Sequence, residues 1–346
     1  MRVLVTGHHG YIGAVMVGVL TRAGHDVTGL DTDLYEGCAF GDLPVAVPSI
    51  RKDVRDVTTS DLRGFDAVIH LAALSNDPLG SLNESCTYAI NHQGSIRMAQ
   101  AAKSAGVERF LFASSCSLYG AAGDGVLDER AAFNPVTPYG TTKVLAEQDL
   151  ARMADDTFSP VYLRNATAYG LSSSLRADIV VNNFVGVAYT TGEIVMQSDG
   201  TPWRPLVHIQ DISRAFLAVL EAPREAIHNE AFNVGSTIEN YRISDVAEIV
   251  KRVVPGVSIR YLEGAGPDPR CYRVDCGKLE RHLAGFRTEW NVERGATEMY
   301  DAFVRHGLTR EQFARFTRIR RIQELMAAGR LDGSLQWNGA ATVVGA

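Results

Sequence analysis

Val3-Leu4-Val5-Thr6-Gly7-His8-His9-Gly10-Tyr11-Ile12-Gly13 stands near the start of the chain and decides how the remaining residues are read. Val3 to Thr6 are apolar or β-branched and predict a short buried strand. Gly7, Gly10 and Gly13 come at spacings of three, and a run that reads as helix continues to Ala23-Gly24. Strand, glycine-rich turn and helix form a phosphate cradle. The first glycine permits the tight turn, the second lets backbone approach a diphosphate, and the third lets helix pack on strand. Free N–H groups at the helix N-terminus add partial positive charge for the anion.

A chain of 346 residues can bury a large core and predicts two domains or one large α/β unit. Hydrophobic residues make up 46% and charged residues 21%, as expected of a globular protein. Forty acidic against 34 basic residues give a net charge of −6, which offers no general attraction for nucleic acid or an anionic membrane. No apolar run approaches the roughly 18 residues of a membrane span, and neither a span nor a signal peptide is expected. Cys38, Cys86, Cys116, Cys271 and Cys276 are odd in number and scattered. They predict reduced thiols in a cytoplasm, with neither a disulfide framework nor a metal site.

Asp26 to Leu30 reads as a second strand ending at Asp31, about 18 residues beyond the last glycine. A carboxylate there accepts hydrogen bonds from an adenosine ribose and repels a 2′-phosphate, so NAD is expected rather than NADP. Ala67-Val68-Ile69-His70-Leu71-Ala72-Ala73 is an apolar strand ending in small residues, which let a cofactor lie close to backbone. A helical pattern comes next over 84–105, stopped by Gly106, and then a strand from Arg109 to Ala113. This alternation predicts a doubly wound parallel sheet with helices on both faces.

Tyr139 and Lys143 are four residues apart on the next helix and share one face, about 5–6 Å apart at Cβ. An ammonium beside a phenol favours tyrosinate and lowers the tyrosine pKa from about 10. Such a tyrosine acts as general acid or base near neutral pH. Ser115, at the end of the preceding strand, is placed to hydrogen-bond the same substrate oxygen.

The motifs Thr6-Gly7-x-x-Gly10-x-x-Gly13, Asp31, His70 to Ala73, Asn91, Ser114-Ser115, Leu118-Tyr119-Gly120 and Tyr139-x-x-x-Lys143 together resemble the extended short-chain dehydrogenases/reductases. Within these the likeness, over roughly residues 1 to 300, is to the nucleoside-diphosphate-sugar epimerases and dehydratases. It implies a Rossmann domain over 1–164 plus 205–234, and a smaller interleaved α/β substrate domain over 165–204 plus 235–330. A C-terminal tail, 331–346, completes the chain. The resemblance implies that NAD is held by Gly7, Gly10, Tyr11, Ile12, Gly13, Asp31, Asp53, Val54, Leu71, Ala72, Ala73, Asn91, Ser114, Tyr139 and Lys143. The substrate, a nucleoside-diphosphate sugar, then meets Ser75, Ser115, Ser117, Asn182 and Asn183. Thr167 replaces the usual diphosphate-contacting asparagine. Arg204 is the expected diphosphate ligand, by planar bidentate chemistry, with Arg270 and Tyr272 as a second nucleotide contact. A homodimer is implied too, through helices near 84–105 and 139–154.

Family chemistry is transient oxidation at a sugar carbon with Tyr139 as acid/base. A 4,6-dehydratase usually carries Asp-Glu after the position of Ser115; Cys116 and Ser117 stand there instead. A 4-epimerase is therefore the leading expectation. A dehydratase, lyase or 3,5-epimerase using the Cys116 thiol is the alternative, and a non-catalytic NAD-sensing protein a remote one. Phe313, Phe316, Ile319, Ile322 and Met326 describe an amphipathic helix over 310–330, with Arg315, Arg318, Arg320 and Arg321 around it. Its apolar face is expected to dock on the body or on a second subunit.

Overall fold

Alternate residues of the first strand enter opposite layers, and that alternation builds the core. The computed structural model describes residues 1–75, 83–121, 125–264, 266 and 271–338. Seven parallel strands run β3-β2-β1-β4-β5-β7-β11: Ser49–Arg51, Asp26–Asp31, Arg2–Thr6, Ala67–His70, Arg109–Ser115, Ser159–Asn165 and Ala231–Val234. Val5 pairs with Gly29 on one side and Ile69 on the other. Val3, Val5, Ile69, Leu111 and Leu163 face a layer that includes helices Gly13–Arg22 and Ile209–Glu221. Leu4, Val68, Phe110, Phe112 and Tyr162 face the opposite layer, with helices Ser95–Ser104 and Pro138–Met153. Both faces are covered, as the near-continuous apolar strands require. Strand order turns between β1 and β4, and that switch point opens the crevice where such sheets bind ligands.

A smaller unit has its own core, built on helices Val180–Thr191, Ile243–Val253 and Val292–His306. β8 (Thr167–Tyr169), β10 (Trp203–His208) and β12 (Asn240–Arg242) form a three-stranded sheet there. β9 (Glu193–Met196) pairs with β13 (Ser258–Tyr261), and β6 (Val126–Leu127) with β14 (Arg273–Val274).

Several expected boundaries move. Of 205–234, the helix Ile209–Glu221 and β11 join the large sheet, but β10 belongs to the small one. The helix expected over 84–105 is an α-turn at Glu84–Thr87, a π-helical segment Tyr88–Gly94 and the helix Ser95–Ser104. The helix expected over 310–330 is two, Arg310–Arg315 and Arg318–Ala327. Phe313 and Phe316 enter the core of the smaller unit, whereas Ile322 and Leu325 enter the layer beneath the large sheet. One straight helix could not present a stripe to both cores. Leu331 and Leu335 of the tail are buried in that same layer. Among the described residues no helix is long and apolar enough to cross a membrane.

Glu147 and Arg164 form a buried pair beneath the site, Oε2 to Nη2 at 2.7 Å. Arg164→Met strands the Glu147 carboxylate away from water and should destabilise the protein by about 3–5 kcal/mol. The double variant Glu147→Leu/Arg164→Met should lose much less. Urea denaturation distinguishes these outcomes, and equal losses would show that the charge pair is not the cause.

Candidate active site

The cradle forms because nothing but glycine fits its turn. Gly7 has φ +72°, and a Cβ there would lie 2.9 Å from the Ala72 nitrogen. A Cβ on Gly13 would lie 2.2 Å from the Gly7 carbonyl oxygen. The turn thus presses on the end of β4 and leaves its N–H groups for an anion. Its alignment is fixed from behind. The Ala72 N–H donates to Thr6 Oγ1 (3.2 Å), which meets His70 Nδ1 at 2.8 Å. His70 Nε2 meets Ser95 Oγ at 2.9 Å, and the Ser95 hydroxyl donates to the Asn91 carbonyl (2.6 Å). Burial, helped by the nearby Lys143 charge, pushes the His70 pKa down to about 3. The ring is therefore neutral, and its two nitrogens serve as one acceptor and one donor.

A cavity of about 850 Å³ opens along this crevice. Gly7, Gly10, Tyr11, Ile12, Gly13, Asp31, Asp53, Val54, Leu71, Ala72, Ala73 and Ser114 line one part of it. Asp31 accepts N–H bonds from His9 (3.1 Å) and Asp33 (3.0 Å), and burial raises its pKa. Asp53 is clamped by Arg55, Oδ2 to Nη2 at 2.6 Å. The Tyr11 hydroxyl donates to the Gly170 carbonyl at 2.7 Å and so ties the cradle to the smaller unit. His8, His9 and Asp31 each bring one donor atom within 4.8 Å of the others, the one such group among the described residues. A cation there and an adenosine ribose would compete for the same Asp31 carboxylate.

Tyr139, Lys143, Ser115 and Ser117 line the adjoining part, with Ser75, Thr167, Asn183, Arg204 and Tyr272. Lys143 lies under Tyr139, its Nζ 5.6 Å from the ring centroid, and donates to the Ala113 carbonyl at 2.6 Å. Burial pushes its pKa down to about 7, against the opposing pull of Glu147. The Arg204 guanidinium sits 5.9 Å from the Tyr272 ring centroid. Ser117 Oγ and Asn165 Oδ1 are buried polar atoms at this cavity with no hydrogen-bond partner among the described residues. Buried polar atoms left so offer hydrogen bonds to a water or a polar ligand in the cavity.

Three expected site residues lie elsewhere. Cys116 is fully buried behind Ser115, and its thiol donates to the Arg164 carbonyl at 3.2 Å. Ser115 caps a 3₁₀ turn over Cys116–Tyr119, which turns the sulfur into a cluster with Leu118, Tyr272, Val274 and Cys276. Burial raises its pKa far above the ordinary thiol value. Asn91 does not line the cavity; its amide accepts from Leu74 N (2.8 Å) and donates to Leu74 O (3.0 Å), holding the loop after β4. Asn182 is also buried, bonded to Gly170 N, the Tyr11 hydroxyl and Arg176 O. Arg270 lies outside the described residues.

Other lining residues were not expected. Arg176 and Asp178 pair at 2.9 Å, and β9 contributes Val195 and Met196. Arg318 and Leu335 reach the cavity from the C-terminal segment. An Arg-x-Asp pair within an irregular loop is the one local signal in the sequence; the others depend on long-range packing.

Fold and cavity together define an enzyme of the extended short-chain dehydrogenase/reductase type. Residues 3–235 match the model of the NAD dependent epimerase/dehydratase family, and the chain belongs to that family. UDP-glucose 4-epimerase of Lactobacillus helveticus is 31% identical over 315 residues, covering 85% of this chain and 94% of that protein. MoeE5, solved in complex with UDP-glucuronic acid and NAD, has 27% identity and a TM-score of 0.77 over 89% of this chain and 100% of that one. DesIV, a dTDP-glucose 4,6-dehydratase from Streptomyces venezuelae, shares the fold at 24% identity and a TM-score of 0.78, over 90% of this chain and 100% of that one. NAD is the cofactor.

Two measurements check this geometry. Alkylation of the native protein and subsequent peptide mass mapping should modify Cys38 and Cys271, which are part-exposed, and spare Cys116 and Cys276 until denaturation. Rapid native labelling of Cys116 would contradict its placement. A free lysine keeps its proton to about pH 10.4, whereas Lys143 gives it up near 7. Between these values the unfolded chain binds the extra proton, so this contribution to stability grows as pH rises and is lost as it falls through 7. Without NAD, wild-type protein should therefore gain stability relative to Lys143→Met across that window, read by urea denaturation at each pH.

Proposed function

We propose that this chain is a 4-epimerase of a nucleoside-diphosphate sugar. One observation carries the reading: Ser115, Ser117 and Tyr139 line the cavity while the Cys116 thiol is buried behind them. Elimination or carbon deprotonation needs a second acid/base beside the serine, and the residue at that position is turned away. The carboxylates that line the cavity are engaged otherwise: Asp31 with two backbone N–H groups, Asp53 with Arg55 and Asp178 with Arg176. The name of the Lactobacillus helveticus relative and the UDP-sugar bound to MoeE5 support the same substrate class.

Bound NAD supplies a reversible hydride acceptor for the sugar's C4. Tyr139 removes the proton of the 4-hydroxyl and later returns one to the oxygen. Ser115 hydrogen-bonds that oxygen, and Lys143 favours the phenolate whenever it holds its proton. Arg204, stacked near Tyr272, grips the diphosphate with Thr167 and Asn183 beside it. Affinity concentrated there leaves the sugar loosely held, so the keto form can turn over and present its other face. The homodimer that the resemblance implies belongs to this proposal, and sedimentation equilibrium tests it.

Tyr139→Phe should lower kcat by a factor of about 10²–10⁴ while leaving bound NAD in place. Purified enzyme given UDP-, dTDP- and GDP-sugars in deuterated water should yield an isomer of unchanged mass with no deuterium on carbon. A product lighter by one water, or deuterium fixed beside a carbonyl, would replace this reading with lyase or 3,5-epimerase chemistry.

A further inference from the structure

The helix Arg318–Ala327, expected only to dock, and the tail hairpin after it carry Arg318 and Leu335 into the cavity. Arg318 is 4% exposed, lies 3.8 Å over the Tyr35 ring and donates to Ser174 Oγ at 2.8 Å. Asp178 acts on both Arg318 and Arg176, so the group carries more positive than negative charge toward the cavity. Tyr35, Arg176 and Arg318 line the same cavity as Asp31 and the glycine turn. A diphosphate joining a ribose at Asp31 to the glycine turn passes beside such cations, and guanidinium chemistry suits it.

Leu335 is held in an unusual way. Its φ is +59°, a left-handed conformation that disfavours a γ-branched side chain, and it is nonetheless 3% exposed. A tight hairpin fixes it: Leu331 bridges Trp337, and Asp332 Oδ1 accepts from the N–H groups of Ser334 and Gln336. The hairpin is fastened across the loops that come after β2 and β3. Trp337 Nε1 donates to the carbonyl of Thr32, next to Asp31, at 2.7 Å. Arg55, which clamps Asp53, donates to the Ser334 carbonyl at 2.7 Å. Backbone held out of its preferred region points to a contact worth the strain, and ligand clamps are where such residues cluster.

We propose that Arg318 and Leu335 are cofactor-binding residues, Arg318 facing the diphosphate and Leu335 the adenosine of NAD, and that residues 318–338 strap the cofactor in place. The strap then sets how fast bound NAD exchanges, because release requires the hairpin to lift. This rests on NAD as the cofactor and not on the proposed sugar chemistry.

The test measures exchange rather than turnover. Full-length protein is loaded with isotopically labelled NAD, chased with unlabelled NAD, and its bound label counted after rapid desalting. Wild-type protein should retain label through desalting. Leu335→Gly, which removes the side chain and the backbone strain together, and Arg318→Met should each release it faster by about tenfold or more, the scale of one lost buried contact. Arg320→Ala, exposed on the same helix, should behave as wild type. Thermal melting without NAD separates release from misfolding, and Leu335→Gly decides the outcome if Arg318→Met does not fold. Label lost from wild type as fast as from the variants, or wild-type retention by a folded Leu335→Gly, would overturn the proposal. Either result leaves the deuterium experiment on the sugar reaction untouched.

Discussion

Everything in this molecule depends on how closely backbone approaches backbone at the end of β1. Gly7 lies against Ala72, and Gly13 lies beneath the Gly7 carbonyl, at separations no Cβ permits. That approach brings the first turn onto the end of β4, opens the crevice at the switch point and aims the helix N-terminus into it. Thr6, His70, Ser95 and Asn91 hold the arrangement from behind as a chain of buried hydrogen bonds. A buried polar chain of this kind specifies geometry because each broken link leaves an unsatisfied group.

The features legible in the sequence are those set by such local constraints. Glycine spacing, strand alternation and the four-residue step from Tyr139 to Lys143 are fixed within one element and its neighbour. The orientation of a single side chain at a strand end is different. Cys116 comes directly after Ser115, yet the 3₁₀ turn sends one to the cavity and the other to the core. Asn91 and Asn182 have the residue type of ligand contacts, but their amides satisfy backbone that loops past them. Arg318 reads as one arginine among four on a helix; contacts with Tyr35 and Ser174, distant in sequence, bury it.

Charge inside the protein is concentrated around the crevice. Arg164 with Glu147 underlies the strand ends, Arg176 with Asp178 edges the cavity, and Arg318 lies over Tyr35. Removing guanidinium groups from water is costly, and hydrophobic replacements often hold a fold as well or better. Their placement therefore speaks of position rather than of stability. Arg164 donates to the Tyr119 hydroxyl and the Glu129 carbonyl as well as to Glu147. It thereby fixes the segment that carries Ser115 and Ser117.

The Tyr11 hydroxyl has a different consequence. It belongs to the dinucleotide turn, yet it donates to Gly170 and accepts from Asn182 in the smaller unit. The two halves of the crevice therefore cannot relax independently. A ligand that ordered one half would thereby hold the other as well, and a second ligand would have less to order on its own account, a coupling carried by rigidity rather than by a change of shape.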